Sequence, residues 1–175
     1  MKKKSLIVVI AALVIADLAL VGCAEAPPPP AAAPTTHAHS HSHNPGDHNH
    51  DRGQMMIASD GWIDALLTAH LSSKEGNELD VFVENKGEPL ALYTTKLEAT
   101  AFVRGEKRTL SFDCAPRDER PSNEAEGTCS HFVARAGWMA PEDMLEVEAS
   151  LPLKTGDIAY VWRGFNPKKY AHHIE

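Results

Sequence analysis

Six of the ten histidines fall within fourteen residues: His37, His39, His41, His43, His48 and His50, with Asp47 and Asp51 beside the last of them. Neutral imidazole is a borderline ligand suited to Zn(II), Cu(II) and Ni(II). A His-x-His repeat in extended chain sets successive rings on one side, because side chains alternate with a period of two. His37 to His43 present four rings in this way, and Asp47 and Asp51 add carboxylate oxygens. The intervening Ala, Ser, Asn, Pro and Gly cannot build a core, so the ligands ride on a segment expected to be disordered. This pattern predicts exchangeable binding of a divalent transition metal (Zn, Cu or Ni), not a closed structural centre. Two plainer readings stand beside it. One is a solvated spacer that binds metal only as any polyhistidine does. The other is a charge patch that turns positive in mild acid, since an unperturbed histidine titrates near ~6.5. Soft ligands for Cu(I) are thin, because Met55, Met56, Met139 and Met144 are scattered in the manner of core filler.

The elements that position this run begin at the N-terminus. Met1-Lys2-Lys3-Lys4 is a compact positive start, followed by an apolar stretch from Leu6 to Ala16 that Asp17 interrupts. That is the layout of a secretory signal, and it is too short for a comfortable membrane span of about 20 apolar residues. It ends in Leu20-Val21-Gly22-Cys23. This segment resembles the lipobox of bacterial lipoproteins. The resemblance implies cleavage before Cys23, a diacylglycerol thioether on its sulfur, and a lipid anchor in the cell envelope. An uncleaved anchor helix with a chance cysteine is the rival. In a two-membrane envelope, Ala24 after the cysteine implies sorting to the periplasmic face of the outer membrane. Residues 1–22 are then a signal peptide and residues 23–54 a tether. Its Pro27–Pro30 favours extended polyproline II, and its length holds the rest at most roughly 90 Å from the membrane.

Removing residues 1–22 takes away three lysines and one aspartate, so the formal charge moves from −7 to −9. An acidic chain repels phosphates, which argues against a nucleic-acid partner. Export also puts Cys114 and Cys129 in an oxidising compartment. They flank a polar loop between two strand-like runs, and a disulfide is the expected outcome. The rival is a metal set of Cys114, Cys129 and His131, with the last two on one strand face. Near the C-terminus, His172 and His173 are a possible secondary metal pair. Adjacent residues point apart on a strand, so a mobile tail is the preferred reading there.

Residues 55–175 have globular composition and alternate with period two in several places. Ile63, Ala65, Leu67, Ala69 and Leu71 share one face, leaving Trp62, Asp64, Leu66, Thr68 and His70 on the other. A helical stripe fits that stretch too, but Leu79-Asp-Val81-Phe-Val83 follows closely as a pairing strand. On this reading His70 is solvated. Further runs centre on Leu97–Val103, Leu110–Cys114, Cys129–Ala134, Leu145–Leu151 and Ile158–Trp162, with a short helical turn near Met139–Asp143. About seven short strands separated by turns predict an all-β, antiparallel Ig-like β-sandwich. The layout is similar to small Ig-like domains of bacterial envelope proteins associated with heavy-metal efflux. That likeness implies an efflux system as partner.

The chain shows no nucleophile elbow, P-loop, dinucleotide fingerprint or His-Glu-x-x-His, so a non-catalytic role is expected. Two functions follow from the sequence. One is a membrane-anchored lipoprotein that buffers, senses or delivers divalent metal. The alternative is an interaction module whose sandwich docks on an envelope protein while the histidine stretch acts only as spacer.

Overall fold

The computed structural model describes residues 52–174, where the period-two runs form ten strands. They are β1 (Met56–Ser59), β2 (Ile63–Leu71), β3 (Glu78–Asn85), β4 (Glu88–Pro89), β5 (Lys96–Val103), β6 (Glu106–Cys114), β7 (His131–Arg135), β8 (Leu145–Leu153), β9 (Gly156–Phe165) and β10 (Ala171–Ile174). The seven expected runs are β2, β3 and β5 to β9. The three additional strands have four residues or fewer, too few for alternation to register. There is no α-helix among the described residues. At Met139–Asp143 the chain makes hydrogen-bonded turns instead, with Met139 N donating to Ala136 O and Asp143 N to Ala140 O. The signal, Cys23 and the run from His37 to Asp51 lie outside the described residues. No described helix is long and apolar enough to cross a membrane.

The strand order is β1-β2-β3-β7-β6-β5-β8-β9, antiparallel throughout, with β4 added to β3 and β10 laid parallel to β2. The result is an all-β sandwich that curls like a barrel. Trp162 Nε1 on β9 donates to Ala65 O on β2 at 3.1 Å, and Tyr160 Oη donates to Ile63 O at 3.4 Å. Inward residues such as Leu67, Val81, Phe112, Phe132, Leu151 and Trp162 are fully buried. Each contributes about 1.5–3 kcal/mol through removal from water. Two hairpin turns place consecutive residues at positive φ, Lys86–Gly87 and Arg104–Gly105. These left-handed pairs match the strand twist. Arg104 then reaches Asp143 with two bonds, Nε to Oδ1 and Nη2 to Oδ2, and so ties the β5–β6 turn to the turns before β8.

Two expectations change on β2. Its second face was expected to be polar and solvated. Trp62, just before the strand, is 73% exposed, but Leu66, Thr68 and His70 are buried, His70 to 6% exposure. Three segments cover that outer face. Arg52–Gln54 form a 3-10 turn; Arg52 pairs with Asp64 and Glu84, and Gln54 O lies 3.3 Å from Thr68 Oγ1. Glu119, in the loop between β6 and β7, reaches His131. The third segment is the C-terminus, where a mobile tail was expected. Residues 171–174 are instead strand β10, paired with Ala69, His70 and Leu71. Parallel pairing across a hundred residues of chain is non-local, so nothing in the local sequence announces it.

Candidate functional site

The two groups of candidate ligands in the domain have different fates. Cys114 and Cys129 are joined, with Cα atoms 5.9 Å apart. The bridge sits where β6 and β7 share only two residue pairs, Asp113 with Val133 and Cys114 with Phe132. It therefore reinforces a narrow seam in the sheet. Glu124 brings a carboxylate oxygen close to both sulfurs, all three within 4.8 Å. That set cannot hold metal while the bridge stands, because the ligand form of cysteine is the thiolate. Glu124 also has its own partner: Oε2 accepts from Arg120 Nη1 at 2.7 Å. The expectation that Cys129 and His131 share a face is corrected as well. The chain bends at Ser130, so Cys129 joins the core while His131 turns to the outer face.

On that outer face, register aligns rows of side chains across β2, β3 and β7. Leu66, Phe82 and His131 form one row, and Thr68, Asp80 and Val133 the next. His70, Glu78 and Arg135 follow. His131 Nε2 lies 2.9 Å from Asp80 Oδ1 and Nδ1 lies 3.2 Å from Glu119 O. Phe82 stacks on the His131 ring at 4.1 Å between centroids. From β10, His172 Nδ1 reaches Thr68 Oγ1 at 3.3 Å, and its ring stands 5.8 Å from that of His70. His173 pairs with His70 in backbone register, and its side chain lies outside the description. Thus three of the four histidines beyond the run gather on one face, around one buried carboxylate.

The hydrogen bonds fix which ring nitrogens face the carboxylate. A backbone carbonyl only accepts, so His131 Nδ1 carries a proton and donates to Glu119. Thr68 has one hydroxyl proton, which goes to Tyr170 O at 2.6 Å; its oxygen then accepts from His172 Nδ1. Nε2 of His131 is then the nitrogen that faces Asp80 Oδ1. Burial pushes the Asp80 carboxyl up, but the hydrogen bond and charge of His131, with the charges of His172 and His70, outweigh it. The net result is a carboxyl held below its ordinary value. Asp80 Oδ2 is buried and makes no hydrogen bond among the described residues.

No protein-family model, curated protein or solved structure matches this chain. The side chains themselves therefore carry the functional argument.

Sequence reading named His172 and His173 as a possible pair and placed His131 with the cysteines, but it left Asp80 and Thr68 unmarked. The usable signal was a polar residue in an otherwise apolar strand: Asp80 stands between Leu79 and Val81, both fully buried. The donors gathered here are imidazole nitrogen and carboxylate oxygen, which suit borderline divalent ions.

Proposed function

We propose that this protein is a lipid-anchored envelope protein that handles divalent transition metal ions. The observation that carries the reading is the gathering of His70, His131 and His172 around Asp80 in the folded domain. The run from His37 to His50 supplies six more imidazoles in the same chain. Lipidation at Cys23 would hold both near a membrane surface, the periplasmic face of the outer membrane in a two-membrane cell. A run of unsaturated ligands suits capture and exchange, and a cluster on paired strands suits retention. Buffering of Zn, Cu or Ni, or its delivery to an envelope efflux partner, follows from that division.

The test is titration calorimetry of Zn(II), Cu(II) and Ni(II) into the mature chain, with metal analysis of protein purified from membranes. We expect more than one ion per chain, and loss of most of that capacity when residues 37–50 are deleted. Failure of the full chain to bind any of the three ions would sink the reading. Cys23→Ser is expected to move the protein out of the membrane fraction; its retention there would remove the anchor from the proposal.

A further inference from the structure

We propose that Cys114, Cys129 and Glu124 form a redox-gated site for one divalent ion, Zn(II) by preference, closed while the sulfurs are bridged and opened when a dithiol reduces them. This rests on the metal-handling reading and adds to it a site at the β6–β7 loop that is independent of the run 37–50.

Three observations carry it. The first is reach. Both sulfurs and a Glu124 carboxylate oxygen lie within 4.8 Å of one another, and no other three such donors do so among the described residues. Around a tetrahedral ion with Zn–S near ~2.3 Å and Zn–O near ~2.1 Å, two sulfurs stand roughly 3.8 Å apart and a sulfur and an oxygen roughly 3.6 Å. Opening the bridge lets the sulfurs part to that spacing, with the carboxylate already beside them. Thiolate and carboxylate are both ligands that Zn(II) takes, and water completes the four.

The second is the buried acid. The Glu124 side chain is 2% exposed. Its Oε2 accepts from Arg120, and its Oε1 is buried with no hydrogen-bond partner among the described residues. Buried polar atoms are almost always satisfied, and an exception asks for an explanation. A cation held between this carboxylate and the sulfurs supplies one. Zn(II) with two thiolates and a carboxylate carries one net negative charge, which Arg120 at 2.7 Å and Arg117 at 3.8 Å offset.

The third is support that does not depend on the bridge. Cys129 exchanges two backbone bonds with Leu92, at 2.7 and 2.9 Å, and Cys114 N donates to Thr95 O at 2.8 Å. Arg117 Nη2 donates to Ser122 O and Glu124 O, and Arg120 Nη1 to Thr128 O, which hold the loop that carries the carboxylate. The three donors therefore stay together when the S–S bond breaks. That step transfers two electrons. A thiolate of the dithiol attacks Cys114, the less buried sulfur, and Cys129 leaves as thiolate. The dithiol's second sulfur then releases Cys114 and closes its own disulfide. Zn(II) takes both thiolates, and any protons they carry leave to solvent. Reoxidation by a disulfide reforms the bridge and ejects the ion.

The experiment uses the mature chain with Cys23→Ser and without residues 37–50, so that two sulfurs remain and the run does not compete. Calorimetry with ZnCl₂ is run before and after reduction by a phosphine, and CoCl₂ reports thiolate ligation through its charge-transfer absorbance. Reduction is expected to add one ion per chain and the cobalt absorbance, and reoxidation to release both. Glu124→Gln is expected to weaken that binding by at least ~10-fold with the bridge still formed in the oxidised protein. If reduction alone unfolds the domain, ZnCl₂ is expected to restore its far-ultraviolet dichroism; failure to restore it would overturn the site. Undiminished binding by reduced Glu124→Gln would overturn it too. Metal bound by the full chain, with none gained on reduction of the shortened one, would overturn the site and leave the metal-handling reading intact. No binding by the full chain in either redox state would overturn both.

Discussion

The two clusters on either side of the bend at Ser130 differ in how they are finished. Cys114 and Cys129 are closed by a covalent bond, and the carboxylate beside them, Glu124, has Arg120 at 2.7 Å and Arg117 at 3.8 Å. Asp80, also buried, has no arginine or lysine partner among the described residues; histidines balance it. Guanidinium is always charged and never ligates, whereas imidazole can give up its proton and bind an ion. Both carboxylates have one oxygen without a hydrogen bond among the described residues. While the bridge stands, only the one among histidines has partners that can exchange a proton for a metal. Cysteine is the more conspicuous residue in the sequence, yet the chemistry that remains available belongs to the histidine face.

The two clusters differ most in what they lose at Asp80. Asp80→Ala leaves a buried His131 N–H facing no acceptor, and removal of one member of a buried charged pair costs about 3–5 kcal/mol. Urea unfolding should show this as the largest loss of any substitution on either cluster; a loss under about 1 kcal/mol would contradict the picture of the histidine face. The same carboxyl gives a pH dependence. In the unfolded chain it titrates near ~3.9, and in the folded chain its pKa is lower. Between the two values the unfolded state binds more protons, so stability falls as pH falls and is fully present above about pH 5. Asp80→Asn should flatten that part of the acid profile; an unchanged profile would mean Asp80 is not its source. Asp143, held low by its bond from Arg104, contributes with the same sign and sets the background slope.

Next in size is the sulfur bridge. Cys114→Ser with Cys129→Ser opens a loop for which the chain-entropy model gives about 3 kcal/mol. The expected outcome is a lower urea midpoint with zinc binding by the histidine face unchanged in the folded fraction. Loss of zinc binding from that fraction would transfer the metal chemistry to the cysteine side. Thr68→Val removes the buried hydroxyl that donates to Tyr170 O and accepts from His172. Its cost should be about 0.5–1.5 kcal/mol. Faster amide exchange confined to residues 171–174 should accompany it; exchange spread evenly over the domain would show that β10 is not held through Thr68. The smallest effect is a control remote from both clusters. Burial, then the charge of Asp60, pushes the Tyr160 phenol up to about 12. Its phenolate absorbance should therefore appear only near that pH and vanish in Tyr160→Phe, with metal binding unaltered.

Much of the fold was legible because a sheet with one buried face writes its register into the chain. Leu97, Ala99, Ala101 and Val103 are buried, with the residues between them more exposed, and Leu145 to Leu151 behave in the same way. The pattern failed at β2, where both faces are buried and alternation no longer separates inside from outside. Strand β10 was illegible for a related reason. Four residues hold too little pattern, and the partner that orders them lies about a hundred positions earlier. The candidate site fell into that blind spot. His70 and His172 sit on those two strands, and Asp80 is one polar residue in an apolar run.

By itself the sequence determined what depends on local order: the alternation that makes strands, the turns, a cysteine pair spaced for bridging, and a run of imidazoles among small polar residues. It also supplied every donor atom of both clusters. Only the tertiary structure decided which donors meet. His70, Asp80, His131 and His172 are brought onto one face by pairings among β2, β3, β7 and β10 that close long loops. Spacing along a chain carries no information about such pairings until the sheet has formed.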